Sequence, residues 1–251
     1  MYKNNLLENS TNRKIILEKG KYQVLEYEQD MSVNKETAMS EYFASKMNVR
    51  KRQVLCNLNN NGVVLQAGAM QVMFGNIEVK TNVSGVGDFF KKALSSSVTG
   101  ESAIKPKYQG TGQILLEPSY KYILIEDLKD WNGAMTIDDG LFLGCDDTVN
   151  IKTVARRNLS SAVLGGEGLF NTSLTGTGVV VLESKVPYEE LVVVELNNDT
   201  VKIDGNMAIA WSSNLSFTVE KTTKTLIGSA ASGEGFVNVF RGTGKVLIAL
   251  V

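Results

Sequence analysis

Gly233-Glu-Gly-Phe-Val-Asn-Val-Phe-Arg-Gly-Thr-Gly244 decides the reading of this chain, because its two glycine signatures occur three times. The earlier copies are Gly100-Glu101 with Gly110-Thr111-Gly112, and Gly166-Glu167-Gly168 with Gly176-Thr177-Gly178. The glutamates Glu101, Glu167 and Glu234 follow one another at steps of 66 and 67 residues. A fixed period of that length means one supersecondary unit used three times.

The unit extends beyond its glycines. Asp139-Gly140 and Asp204-Gly205 each open a further apolar run, 65 residues apart, and Tyr122-Ile-Leu-Ile125 parallels Val192-Val-Val-Glu195. Each unit reads as strand, Asp-Gly turn, paired strands, connector, Gly-Glu, strand, Gly-Thr-Gly turn and strand. The predicted boundaries are about 53–119, 120–187 and 188–251, in one all-β domain. Residues 1–52 precede them as an N-terminal hairpin and a short helix. Asn59-Asn-Asn-Gly62 supplies the equivalent turn in the first unit, since Asn-Gly between apolar runs tolerates the positive φ of a tight hairpin.

Lys19-Gly20-Lys21 separates two β-prone runs and predicts the N-terminal hairpin. Met39, Tyr42, Phe43 and Met47 recur at helical spacing, which predicts an amphipathic helix over 36–47 with that stripe as its packing face. Asp88-Phe-Phe-Lys-Lys-Ala-Leu94 predicts a second short helix, inserted in the first unit. The closing strands, such as Val179-Val-Val-Leu182 and Val246-Leu-Ile-Ala249, are apolar on both faces, so both faces are expected to be covered. A sandwich or barrel interior accounts for one face and a subunit interface for the other.

Composition removes several functions. The 251 residues carry 26 basic and 27 acidic side chains, a net charge of −1, which gives no general attraction to nucleic acid or an anionic membrane. The densest basic run, Lys46-Met-Asn-Val-Arg50-Lys51-Arg52, reads as a solvated strand start beside a helix end. With no histidine, the chain lacks the commonest general base near neutral pH and the commonest transition-metal ligand. Cys56 and Cys145 lie far apart in strand-like runs and read as small buried hydrophobes. No apolar stretch is long enough for a transmembrane helix, and the first residues lack the core of a signal peptide. A cytoplasmic protein without cofactor or metal is the expectation.

The residues weighed for chemistry have structural readings beside them. Gly-Glu-Gly and Gly-Thr-Gly lead into strands rather than into the helix N-terminus that a phosphate cradle needs. We therefore read Gly100, Gly110, Gly112, Gly166, Gly168, Gly176, Gly178, Gly233, Gly235, Gly242 and Gly244 as turn formers at sheet corners. Glu101, Glu167 and Glu234 are placed to pair with a neighbouring unit's Arg156, Arg157 or Arg241, or else to form a ring of carboxylates. Asp138-Asp139 and Asp146-Asp147 form the only local acid cluster. They read as turn formers, with carboxylate catalysis or cation binding as the alternative. Trp131 and Trp211 read as isolated aromatics rather than a stacking platform.

Residues 68–78, Asp138-Asp-Gly-Leu-Phe-Leu143, Gly165-Gly-Glu-Gly-Leu-Phe170 and the 233–244 stretch resemble the altered-inheritance-of-mitochondria protein 24 family. The resemblance runs from about Lys46 to Val251 and is less distinct before that. It implies a short double-stranded β-helix similar to the tryptophan RNA-binding attenuator protein, and assembly into a trimer. Fungal relatives lie at the mitochondrial inner membrane and support the organisation of respiratory membranes. The family offers no catalytic residues to transfer. The expectation is a non-enzymatic, oligomeric scaffold or interaction protein. The alternative is a small-molecule or nucleic-acid binding module with sites between repeats or subunits, although the neutral charge speaks against nucleic acid. An enzyme working through carboxylates such as Asp138, Asp139, Glu167 or Glu234 has the least support.

Overall fold

A computed structural model describes residues 2–8, 11–81, 105–155, 170–221 and 236–250. The helix expected over 88–94, the Gly-Glu signatures (Gly100, Glu101, Gly166, Glu167, Gly168, Gly233, Glu234, Gly235) and Arg156 and Arg157 lie outside these residues. The described chain is mostly β, with a single α-helix, and its strands form two curled sheets.

The N-terminal hairpin is present. β1 (Arg13–Lys19) and β2 (Tyr22–Tyr27) pair antiparallel around Gly20. Gly20 has φ +61, a conformation open to glycine at little cost. The helix α1 spans Ala38–Lys46. Next come β3 (Arg52–Leu65), β4 (Met70–Lys80) and β5 (Lys107–Leu116), with β5 paired to β3 on one edge and to β4 on the other. β6 (Tyr122–Asp127), a 3-10 turn at Leu128–Trp131, β7 (Ala134–Ile137), β8 (Phe142–Asp146), β9 (Val149–Ala155), β10 (Phe170–Gly176) and β11 (Val179–Ser184) follow. Here β11 lies between β6 and β8, and β10 lies between β7 and β9. Last come β12 (Leu191–Asp204), β13 (Ala208–Ser212), β14 (Ser216–Lys221) and β15 (Phe236–Ala249). β15 pairs with β12 along one edge and with β13 and β14 along the other.

The first sheet has eight strands, ordered β1-β2-β3-β8-β11-β6 with β5 and β4 joined at β3. The second has seven, ordered β12-β15-β13-β7-β10-β9 with β14 joined at β15. Alternating side chains on one strand feed different cores, because successive residues point to opposite faces. On β11, Val179 and Val181 enter a cluster with Val54, Cys56 and Val63, while Val180 and Leu182 enter a second with Leu128, Trp131 and Met135. On β15, Leu247 and Ala249 enter that second cluster, while Val246 and Ile248 join Trp211 and Phe240 in a third. The two-sided apolar strands are therefore covered by the chain itself. Contrary to expectation, they need no subunit interface.

Two kinds of turn assignment are corrected. Asn59 to Gly62 is not a hairpin turn but part of β3, with a register shift between Asn59 and Asn61. Asn60 sits there at φ 51, so one extra residue is absorbed as a bulge. Gly110-Thr111-Gly112 and Gly242-Thr243-Gly244 likewise lie inside β5 and β15. Only Gly176-Thr177-Gly178 turns, as the chain leaves β10 in one sheet for β11 in the other.

The stripe on α1 is a third correction. Met39, Tyr42, Phe43 and Met47 are 72, 51, 59 and 76% exposed, so this face packs on no other part of the described chain. Ser45 is the buried residue of the helix.

Candidate functional site: a charged cleft beside buried Arg52

The basic run does join a helix end to a strand start, and Lys46 is exposed, but its last residue is not solvated. Arg52 starts β3 in phase with Val54 and Cys56, so strand alternation turns it inward, and it is 2% exposed. Its Nε donates to Glu26 Oε2 at 2.9 Å, and a terminal nitrogen lies 2.7 Å from the same oxygen. The guanidinium also donates to the carbonyls of Arg50 and Asn48 and to Asn48 Oδ1. Its Cζ lies 4.4 Å from the centre of the Tyr122 ring. Arg50 donates to the other oxygen of Glu26 at 2.8 Å and, through Nε, to the carbonyl of Ser45 near the C-terminal end of α1.

Arg52 thus ties β2, the segment after α1 and β6 into one unit. Its donors are used within the chain. A buried pair of this kind fixes geometry more than it adds stability, and loss of one partner leaves the other charge stranded.

A cleft of about 560 Å³ opens against this cluster. β1 contributes Ile16 and Leu17, β6 contributes Tyr122 to Glu126, and Tyr188, Glu189 and Lys245 come from further along the chain. Glu126 accepts from Trp131 Nε1 at 3.0 Å. Lys245 lies 5.8 Å from the Trp131 ring centre. Burial, followed by the charges of Glu126 and Asp130, pushes the Tyr188 phenol up from its ordinary value. The cleft therefore carries both signs of charge beside aromatic rings, a lining suited to a small polar molecule.

A second cleft, of about 510 Å³, brings together Asp138, Asp139, Glu183, Lys121 and Asn206. Lys121 and Glu183 form an ion pair at 2.9 Å. Asp138 and Asp139 thus do lie in a cleft, with one further acid already paired. Among the described residues, no group of three or more acids or cysteines is arranged to hold a metal ion.

The other acid pair lies elsewhere. Asp146 accepts from the backbone N–H of Val179 and pairs with Lys21 at 3.2 Å. Ser212 accepts from the backbone N–H of Lys245 in the same way, so the two side chains perform the same task. Asp147 is held below its ordinary value by Lys107 and Gln109, against an opposing effect of burial. Arg241 pairs through both terminal nitrogens with Glu220 on β14.

Both cysteines are fully buried, as expected. Burial pushes the Cys56 thiol up to about 12, and that of Cys145 in the same direction. Trp131 is buried at the 3-10 turn, and Trp211 stacks with Phe217 and tilts against Phe240. Trp211 is not isolated, but its ring lies in a core rather than on a nucleic-acid platform.

Sequence reasoning missed the Arg52–Glu26 centre. The available signal was a charge at the inward phase of a strand. The Gly-Thr-Gly residues play a backbone part. A Cβ on Gly110 or Gly112 would run into the carbonyl oxygens of Asn76 or Phe74 on β4.

Comparison with known proteins agrees with the fold. The chain is 28% identical over 197 residues to an uncharacterized protein of Streptococcus pyogenes serotype M6, covering 76% of this chain and 77% of that one. It is similar to an X-ray crystal structure of another Streptococcus pyogenes protein, with a TM-score of 0.58 and 25% identity, covering 80% and 88% of the two chains. No described helix is long and apolar enough to cross a membrane. The family model described as mitochondrial biogenesis AIM24 matches residues 44–249, and the chain belongs to that family.

Proposed function

We propose that this protein is a non-enzymatic scaffold that binds other proteins and assembles with copies of itself, with a trimer as the favoured form. The observation that supports this reading is the stripe on α1. Met39, Tyr42, Phe43 and Met47 are each more than half exposed. Clustered exposed apolar side chains of this size mark interaction surfaces. The family's name connects the role to mitochondrial biogenesis and, by extension, to the organisation of membrane complexes. A cytoplasmic location and a three-fold repeat of a short, attenuator-like double-stranded β-helix belong to the same proposal. The repeat is supported by the recurrence of one strand-pairing pattern in β3–β5, β6–β11 and β12–β15.

The test is light scattering after size-exclusion chromatography, with mass spectrometry of co-eluting proteins, on the natural chain and on Met39→Ser/Phe43→Ser. Assembly of the natural chain, or a stoichiometric partner that the double substitution removes, supports the reading. A monomer without partners, unchanged by the substitutions, overturns it.

A second reading is a small-molecule binding module. The cleft beside Arg52 favours it, because parts of the chain as distant as Leu17 and Lys245 line one cavity. A thermal-shift panel of amino acids, nucleotides and short RNAs tests it, and no shift with any of them removes those ligands.

A further inference from the structure

Two joints between successive parts of this chain use the same edge pairing, and among the described residues the two halves of a third joint stay open. In the first joint, Val63, Val64 and Leu65 of β3 pair with Asp146, Cys145 and Gly144 of β8. In the second, Met135, Thr136 and Ile137 of β7 pair with Ser212, Trp211 and Ala210 of β13. The registers coincide. On its other edge Val64 faces Lys107, three residues before Gly110, and Thr136 faces Ser173, three residues before Gly176. On the receiving side, Cys145 faces Val180, two residues after Gly178, and Trp211 faces Val246, two residues after Gly244.

The same landmarks locate the open halves. Lys202 of β12 faces Val239, three residues before Gly242. Met73 of β4 faces Ile114, two residues after Gly112. Among the described residues, β12 pairs only with β15, and β4 only with β5. Val72 and Met73 are each 36% exposed, and no backbone hydrogen bond joins residues 2–8 to β4. The N-terminal contact there is between side chains, with Tyr2 stacked on Phe74. A free edge with apolar side chains is a template for another strand.

We propose that β12 of one copy pairs antiparallel with β4 of a second copy, setting Val201 opposite Phe74, Lys202 opposite Met73 and Ile203 opposite Val72. This inference rests on the self-association proposed above and specifies its interface. The joint is heterologous, so it closes into a ring or continues as a filament. A ring of three gives the trimer.

Cross-linking between singly substituted chains tests it. Met73→Cys protein is mixed with Lys202→Cys protein and oxidised. Cys56 and Cys145 are buried, so the introduced thiols are the ones in reach. Directly opposed side chains place their Cβ atoms within cross-linking reach. The expected product is a covalent heterodimer, lost when Glu78→Cys replaces Met73→Cys. In parallel, Met73→Lys sets a like charge opposite Lys202 and weakens self-association by roughly fivefold, whereas Met73→Glu strengthens it.

If the mixture gives no heterodimer but the Met73→Cys/Lys202→Cys double variant closes an internal disulfide, the edges meet within one chain and the proposal falls. If neither cross-link forms and light scattering still shows an oligomer, this interface is wrong and self-association stands. A monomer at every concentration removes both.

Discussion

Gly176-Thr177-Gly178 and Gly242-Thr243-Gly244 are the same tripeptide in two different structures. At 242–244 the chain runs straight on as β15, whereas at 176–178 it breaks between β10 and β11 and changes sheet. The difference lies in the opposing strand. Opposite 242–244, Leu196 pairs with Gly244 and Asp199 with Gly242, so only one residue is in excess. Asn198 takes it up at φ 52, and its N–H donates to Thr243 Oγ1 at 2.9 Å. Residues 59–61 repeat the arrangement, with the N–H of Asn60 donating to Thr111 Oγ1 at 3.0 Å. Opposite 176–178, Asp127 pairs with Val179 and Ala134 with Thr175, leaving residues 128–133 between them. Against the three residues 176–178 that leaves three in excess, more than a bulge absorbs, and the hairpin divides. A motif on one strand therefore specifies a bend only together with the length of its partner.

The insertion is held by what it buries. Leu128 is fully buried and Trp131 is 3% exposed, both within the second core, and Asp127 accepts from the N–H of Lys129 to start the turn. Trp131→Ala is expected to cost about 3–5 kcal/mol, the largest loss among these sites, since a cavity replaces a large side chain. Urea unfolding measures it. A loss below about 1 kcal/mol would mean that the core collapses around the site, and that the turn owes little to this burial.

Two glycines of the continuous form come next. Gly112→Ala drives a Cβ into the Phe74 carbonyl of β4, whereas a Cβ on Gly242 meets its first neighbour, Leu215 Cδ2, at an ordinary 3.5 Å. Gly242→Ala keeps only the strain of its φ of +125. We expect about 3 kcal/mol or more for Gly112→Ala and about 1–2 for Gly242→Ala. Equal losses in urea unfolding would show that backbone conformation matters and the close approach of β4 does not.

These contrasts show which parts were legible in the sequence. The strands were, because apolar residues at successive positions such as Val179 to Leu182 suit burial on both faces. The hairpin at Gly20 was legible for the same reason that Asn61-Gly62 misled. Both carry turn chemistry, but only the former has a two-residue link between its strands, while the latter faces Gly110 and Gln109 on β5. Such pairing across about fifty residues has no local signature. The Arg52 centre was illegible as a site because Glu26 and Tyr122 reach it from distant segments, although its inward phase was visible. The exposure of the α1 stripe was illegible because periodicity identifies an apolar face and not what covers it.

The threonines give a smaller and more selective contrast. Thr111→Val and Thr243→Val remove the acceptor of a bulge N–H in an exposed setting, so each is expected to cost about 0.5–1 kcal/mol. Thr177 serves its corner through its carbonyl, which accepts from Thr148 Oγ1 at 2.6 Å, and Thr177→Val keeps that bond. Thermal unfolding of the three variants should therefore lower the first two midpoints and leave the third nearly in place. Equal midpoints would detach the hydroxyl from the bulge.

The smallest effect concerns the charge next to the third motif. Arg241, immediately before Gly242, donates to both oxygens of Glu220, and Thr218 Oγ1 donates to one of them. The Arg241 hydrogen bonds, then that from Thr218, bring the Glu220 carboxyl from its ordinary 4.5 down to about 2. A lowered folded-state value means that the pair stabilises the fold fully above about pH 4.5, and that this support is lost as the pH falls toward 2. Both side chains are more than a third exposed, so salt weakens the effect. Glu220→Gln should lower the thermal midpoint slightly at pH 7, with the deficit vanishing near pH 2. The register of β14 against β15 does not depend on this pair, because Phe217 packs with Phe240 and Trp211 beneath it. A deficit that persists unchanged at pH 2 would place the role of Glu220 in packing, and the continuous course of β15 through 242–244 would then owe nothing to its charge.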